Sequence, residues 1–262
     1  MNIDLTAKNA LVGASSQGIG LAIATQLAAC GANVTLMARD EQRLKQLIEA
    51  LPRTHPDQQH GYLKVDFSDY EGFDQAITAF FKGHTIDILV NNTNGPKAGK
   101  PTELKIEEYQ NAFDLLFKTV CLTTLLALPH MKAQKFGRII NVSSISVKEP
   151  IGNLVLSNSI RSATAAWAKT LAGEVAAENI TVNNIMTGLF YTDRLKHLIE
   201  TEAKETGKSA QQIKDQRESQ IPMKRFGKPE EYGNLVAFLA SEYSSYITGT
   251  NIPIDGGLDK SS

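Results

Sequence analysis

A glycine-rich turn near the start of the chain has the composition and context of a phosphate-binding loop. The segment ALVGASSQGIG spans residues 10–20, and the helical pattern GLAIATQLAAC begins at its last glycine. Glycine lets a backbone approach a pyrophosphate closely, and the free N–H groups at a helix start stabilise its charge. The alternative is a tight turn without a ligand. The strand, turn and helix order favours a dinucleotide site, with contacts predicted at Gly13, Ser15, Ser16, Gln17, Gly18 and Ile19.

The residue after the next apolar run bears on which dinucleotide would bind. Folds of this kind place an acidic residue about 20 residues beyond the turn, where it binds the ribose 2′-hydroxyl of NAD. Here Ala38 is followed by Arg39, and a guanidinium can bind the extra 2′-phosphate of NADP. The alternative is that Arg39 is solvated and Asp40 binds the ribose. We predict NADP as the cofactor, in preference to NAD.

The elements that must position these residues alternate between apolar runs and amphipathic stretches. Runs such as ANVTLMA, IDILVNN and GRIINVSS are continuously apolar, which is typical of parallel strands buried on both faces. We therefore predict an α/β fold: a doubly wound, Rossmann-like parallel sheet of about seven strands with helices on both faces, in a single domain over residues 1–262. The charged segment 192–225 follows a late strand, where it would form either a helical lid or a functionless surface helix pair.

Composition excludes several classes of function. A net charge of −1 over 262 residues argues against a nucleic-acid or anionic-membrane partner. No apolar run approaches the roughly 18 residues of a membrane helix, no leader pattern precedes the first strand, and two cysteines make no disulfide framework, so we predict a cytoplasmic protein. The five histidines lack ligand spacing, so no metal site is predicted.

The motifs, taken in order, resemble those of the classical short-chain dehydrogenase/reductase family, including its 3-oxoacyl-(acyl carrier protein) reductases. They are the GASSQGIG turn, KVDFSD, LVNNTNG, GRIINVSS, VNNIMTG and SYITGTNIPIDGG, which together cover nearly the whole chain. The resemblance implies further cofactor contacts at Asp66, Phe67, Asn91 and Gly188. It also implies a homo-oligomer, a tetramer or a dimer. The first glycine of the family's turn is replaced, since Gly13 and Ala14 occupy its first two places.

The same resemblance places the catalytic positions, and three of the four are substituted. In the family a Ser polarises the carbonyl, a Tyr transfers the proton, a Lys lowers the pKa of that Tyr and holds ribose, and an Asn fixes a relay water. Ser144 matches the Ser. Ser157 stands at the Tyr position, Arg161 at the Lys position and Leu116 at the Asn position. We predict Ser144, Ser157 and Arg161 as the catalytic set.

These substitutions change what the site can do. An aliphatic hydroxyl is far less acidic than a phenol, so Ser157 is a poor general acid. Arg161 keeps its charge and its donors, so it can bind ribose or clamp a carboxylate or phosphate. Tyr191 and Lys148 are alternative proton sources, unless Tyr191 packs under the lid and Lys148 is solvated.

The sequence thus favours an NADP(H)-dependent oxidoreductase acting on a small carbonyl or alcohol substrate, one that is anionic or thioester-linked. Two alternatives stay open. One is a non-catalytic nucleotide-binding sensor or partner protein, and the other is a lyase or isomerase that uses Arg161 as an anion clamp.

Overall fold

A computed structural model describes residues 2–261 and contains one parallel sheet of seven strands. The strand order is β3-β2-β1-β4-β5-β6-β7, so the order reverses between β1 and β4. Ligands of open α/β sheets bind outside the carboxyl ends of the strands at such a reversal. The predicted doubly wound parallel sheet is confirmed. The strands are β1 (Asn9–Val12), β2 (Asn33–Ala38), β3 (Gly61–Lys64), β4 (Ile88–Asn91), β5 (Gly137–Ser144), β6 (Ile180–Thr187) and β7 (Asn251–Ile254).

Helices cover both faces of the sheet, and each face has its own apolar cluster. One cluster joins Leu27, Leu44 and Val236 on α1, α2 and α9, and the other joins residues of α3, α5 and α6. The helices are α1 (Gly18–Ala29), α2 (Glu41–Ala50), α3 (Tyr70–Phe81), α4 (Ile106–Phe113), α5 (Thr119–Gln134), α6 (Val155–Val175), α7 (Asp193–Thr206), α8 (Ala210–Gln220) and α9 (Pro229–Ala240).

A row of four asparagines, buried except for Asn251 at the edge strand, crosses the second half of the sheet. Asn91 donates to Asn141 at 2.9 Å, Asn141 to Asn184 at 2.8 Å, and Asn184 to Asn251 at 2.8 Å. These residues are paired neighbours in β4, β5, β6 and β7. A buried amide must find hydrogen-bond partners, so the row stabilises one register of the four strands and disfavours slipped ones.

The segment 192–225 forms α7 and α8, which have a small apolar core of their own. Leu195, Ile199 and Ala203 of α7 pack with Ile213 of α8 and Phe226, apart from the two clusters of the sheet. This separation would let the helix pair move without disturbing the sheet. Its role as a lid stays a prediction.

The prediction that no apolar segment approaches the length of a membrane helix is wrong for the stretch Ile106–Gln134. It runs through α4, a π-helical turn over Asp114–Lys118, and α5, and its length and hydropathy would also suit a membrane helix. Half of its most apolar window is buried inside the protein, which is typical of a core helix. Its apolar residues pack against the sheet and α6.

The asparagine row generates a stability prediction. Asn141→Ala removes the central amide and leaves Asn91 and Asn184 each short of a partner, so we expect the free energy of unfolding to fall by about 2 to 4 kcal/mol. Urea unfolding measures this change. Asn111→Ala, at an exposed position of α4, is the control and should cost less than about 0.5 kcal/mol. Equal small losses in both variants would contradict the role of the row.

Candidate functional site

The turn between β1 and α1 lies against the end of β4, and its glycines allow that contact. A Cβ on Gly13 would lie 2.2 Å from the carbonyl oxygen of Asn92, and a Cβ on Gly20 would lie 2.3 Å from that of Ala14. Ala14 has φ +43°, a left-handed conformation that favours glycine. The chain therefore keeps the backbone path of a glycine turn although alanine stands at one position, at some cost in strain.

The start of α1 offers an anion site. Within residues 2–261, no side chain caps this helix and its first turn has no acidic residue, so the leading N–H groups are free. Gln17, Gly18 and Ile19 line the groove in front of it. Ser16 and Gln17 also line the groove towards β2.

Ser15 differs from its predicted role. Its side chain is fully buried, its hydroxyl donates to Val12 O at 2.8 Å, and it accepts from Met37 N at 3.0 Å. The first bond ties the turn to β1 and the second ties it to β2. Ser15 therefore shapes the cofactor loop and does not face the groove.

A groove of about 240 Å³ lies at the end of β2, and two arginines line it. Arg39 is exposed, with a guanidinium nitrogen 3.9 Å from the Asp66 carboxylate. Arg43 lines the same groove and donates from Nε to Ser16 O at 2.9 Å. The Asp40 carboxylate caps α2 by accepting from Arg43 N. Two positive charges and an occupied carboxylate suit a 2′-phosphate better than a bare ribose hydroxyl.

The remaining predicted cofactor residues divide into groove residues and supporting residues. Phe67 lines the groove near Arg39. Asn91 is buried in the asparagine row, with its amide donating to Thr124 and Asn141, so it supports the site and does not face a ligand. Its neighbour Asn92 holds the turn by donating to Gly13 O at 3.0 Å. Gly188 lets β6 approach Asp255, since a Cβ there would lie 2.6 Å from the Asp255 Cα.

A second cleft, of about 300 Å³, lies at the ends of β5 and β6 and gathers the predicted catalytic set. Ser144, Ser157 and Arg161 all line it. The Ser144 hydroxyl accepts from Ser146 N at 3.1 Å, which leaves its own hydrogen free to donate into the cleft. Ser157 is buried, and its hydroxyl lies 3.5 Å from that of Ser146. Apolar side chains complete the wall: Ile19, Pro96, Val142, Leu154, Leu189, Phe190, Leu195 and Leu198.

Arg161 provides a half-buried positive charge on the floor of this cleft. One of its terminal nitrogens donates to Val142 O at 2.7 Å, and its other donors are not used by protein acceptors within residues 2–261. Burial lowers the pKa of Arg161 to about 10, with the positive charge of Arg194 contributing in the same direction. The guanidinium is therefore still charged at neutral pH.

The two alternative proton sources lie elsewhere. Tyr191 stacks on Phe226 at 5.9 Å between ring centres, with Lys196 of α7 and Lys214 of α8 over its ring. Lys148 lies 4.0 Å from the buried carboxylate of Asp259. Neither lines the cleft, and in the described part of the chain no tyrosine, lysine, aspartate or glutamate does.

One phenol that the sequence did not single out is close behind the cleft. Tyr232 of α9 is fully buried, and its hydroxyl lies 3.0 Å from that of Thr187, which lines the cleft. Burial raises the pKa of Tyr232 well above its usual range. It therefore stays protonated and positions Thr187.

Leu116 stands at the position where the family has an Asn, so this position carries an apolar side chain. It lies in the π-helical turn, and its carbonyl accepts from Thr164 at 3.0 Å. It borders an internal cavity of about 20 Å³, enough for one water molecule, together with Arg161 and the asparagine row.

The grooves join along the carboxyl edge of the sheet. A middle stretch shares Ala14, Gln17 and Asn94 with the arginine groove, and it shares Asn92, Thr192 and Arg194 with the second cleft. Sequence reasoning missed Arg43, Thr192 and Arg194. Only Arg43 had a usable signal, since it lies four residues beyond Arg39, in the first turn of the helix that follows β2. In residues 2–261 no group of three or more His, Cys, Asp or Glu could hold a metal ion.

Similar proteins of known family indicate where this chain belongs. A family model described as enoyl-(acyl carrier protein) reductase matches residues 13–259. The NADPH-dependent reductase BacG of Bacillus subtilis is 35% identical over 98% of this chain and 100% of its own. The 3-oxoacyl-(acyl-carrier-protein) reductase FabG of Aquifex aeolicus is 31% identical over 98% of this chain and 100% of its own.

A solved structure agrees over the whole length. L-sorbose reductase from Gluconobacter frateurii, complexed with NADPH and L-sorbose, superimposes with a TM-score of 0.93 and 31% identity, covering 100% of both chains. Family model, relatives and fold agree with the motif order found in the sequence. The chain therefore belongs to the classical short-chain dehydrogenase/reductase family.

Proposed function

We propose that this protein is an NADP(H)-dependent oxidoreductase that interconverts a small carbonyl compound and its alcohol. The observation that carries the proposal is the continuous groove from Arg39 and Arg43, past the start of α1, to Ser144 and Arg161. Its arginine end fits a 2′-phosphate, its middle fits a pyrophosphate, and its far end holds hydroxyls and a cation. The NADPH-dependent relatives support the same cofactor.

The residues of the groove fit the dinucleotide on several independent grounds. Gly13 and Gly20 allow backbone contacts that a Cβ would block, and the start of α1 has free N–H groups. When bound, the cofactor supplies or accepts the hydride. The chain contributes binding, orientation and charge.

At the reacting end, Ser144 and Arg161 act on the substrate oxygen. The free hydrogen of Ser144 donates to the carbonyl oxygen and polarises it. The positive charge of Arg161 would stabilise the negative charge that develops on this oxygen when the carbonyl is reduced. A proton from water then completes the alcohol, because no phenol or amine lines the cleft within residues 2–261. Positioning supplies a large part of the rate.

Several finer features belong to the same proposal. The substrate is an anionic or thioester-linked carbonyl compound, the protein works as a homo-tetramer or dimer in the cytoplasm, and α7 with α8 closes over the substrate. The small apolar core of this helix pair supports closure as a unit.

Calorimetric titration with NADPH and NADH, followed by a turnover screen against ketones, 2-oxo acids and 3-oxoacyl thioesters, tests the proposed function. We expect tighter binding of NADPH and oxidation of NADPH by at least one class. Binding without turnover would favour a sensor or partner protein, as the missing phenol would allow. Absence of binding would contradict the cofactor assignment.

The arginine groove generates a prediction about cofactor choice. Arg39→Asp should raise the Kd for NADPH by at least about tenfold and change the Kd for NADH by less than about threefold, since only NADPH has the 2′-phosphate. Arg43→Asp should act in the same direction. Arg53→Asp, an equal charge change at an exposed residue beyond α2, is the control. Equal losses for both dinucleotides would remove Arg39 from the phosphate site.

The substituted catalytic pair generates a second prediction. The double variant Ser157→Tyr with Arg161→Lys places a phenol beside an ammonium in the cleft, so reduction of simple ketones should increase by about tenfold or more. Each single variant is the control and should give less, because the ammonium must lower the pKa of the phenol. No gain in the double variant would show that the rest of the cleft no longer accepts this mechanism.

A further inference from the structure

The second cleft contains two guanidinium groups and, among its lining residues within 2–261, no carboxylate. Arg161 is on α6 and Arg194 is at the start of α7, and both line the cleft. In this part of the chain neither guanidinium has a carboxylate oxygen within 4.0 Å, whereas Arg217 and Arg225, also near α7 and α8, each have one. Two uncompensated positive charges facing one cleft repel each other, and an anion between them removes that repulsion.

The local structure keeps Arg194 available. Its neighbour Asp193 is paired with Lys196 at 3.0 Å, so the nearest carboxylate in sequence is already used. Gly95 makes room on the facing loop, since a Cβ there would lie 2.7 Å from a terminal nitrogen of Arg194. The guanidinium thus lies against the β4 loop, over the mouth of the cleft.

We propose that the substrate carries a second functional group, a carboxylate or a phosphate monoester, which Arg161 and Arg194 hold between the cleft floor and α7. This inference rests on the proposed function and specifies its substrate class. A planar fork of N–H donors suits either anion. Ser144 still donates to the carbonyl oxygen, and Arg161, which uses one terminal nitrogen for Val142 O, has donors left both for that oxygen and for the anion. The apolar wall contacts the carbon skeleton.

The anion would also connect substrate binding to the helix pair. Arg194 is on α7, which packs with α8 on a separate small core, and Arg161 is fixed to the sheet through Val142 O. An anion held by both arginines links the helix pair α7 and α8 to the sheet, so the substrate itself stabilises the closed cleft.

Binding to the NADP⁺ complex, in which no reduction occurs, tests the proposal with matched pairs. The carboxylate arm compares 4-oxopentanoate with its methyl ester, and the phosphate arm compares hydroxyacetone phosphate with hydroxyacetone. We expect the anion in at least one arm to bind at least about tenfold more tightly than its neutral partner. The arm that shows the preference identifies the anion. No preference in either arm would overturn the proposal.

Variants separate this site from the cofactor site. Arg194→Gln and Arg161→Gln should each reduce the anion preference at least about fivefold, with Arg161→Lys restoring part of it. Lys204→Gln, which removes an exposed positive charge further along α7, should leave the preference unchanged. If Arg194→Gln instead weakens NADPH binding and leaves the anion preference intact, Arg194 binds the cofactor pyrophosphate and the proposal is wrong. Failure of wild-type NADPH binding would instead contradict the proposed function.

Discussion

The alignment of strand ends across β4, β5, β6 and β7 is the constraint on which the site depends. Four asparagines bonded in a row, three of them buried, hold that alignment, because a one-residue slip would leave buried amides without partners. Ser144 ends β5 and Thr187 ends β6, so both hydroxyls reach the same cleft only in this register. The side chain of Arg161 depends on the same alignment through Val142 O.

Around this fixed edge, the proposed mechanism relies on charge and not on a proton donor from a side chain. The cleft holds hydroxyls and two guanidinium groups, and the phenol of Tyr232 is buried behind Thr187 and kept protonated. A cation in a partly buried site stabilises developing negative charge more strongly than it would in water. The hydride step can use such stabilisation, while the proton can arrive from solvent. Such a site suits a reaction whose rate depends on orienting the substrate and on stabilising the charge that develops on its carbonyl oxygen.

Much of this could be predicted from the sequence. The apolar runs indicated the strands, and the motifs put Ser144 at the end of a strand with Ser157 and Arg161 on the helix that follows it, so all three could be expected near one edge of the sheet. Burial could not be predicted from motif position: Ser15 and Asn91 match motif positions, yet their polar atoms bond inside the protein. The helix through residues 106–134 shows the same limit, since composition alone does not distinguish a core helix from a membrane helix.

Arg194 shows the other limit. Its position in a charged helical segment resembles that of any solvated cation, and only the three-dimensional arrangement places it in the same cleft as Arg161. In the proposed mechanism, Ser144 polarises a substrate carbonyl without a catalytic tyrosine. Steady-state NADPH oxidation by Ser144→Ala, with the best substrate of the turnover screen, tests it directly. We predict that kcat falls about 100-fold with an unchanged Kd for NADPH. An unchanged kcat would show that Ser144 does not polarise the substrate carbonyl.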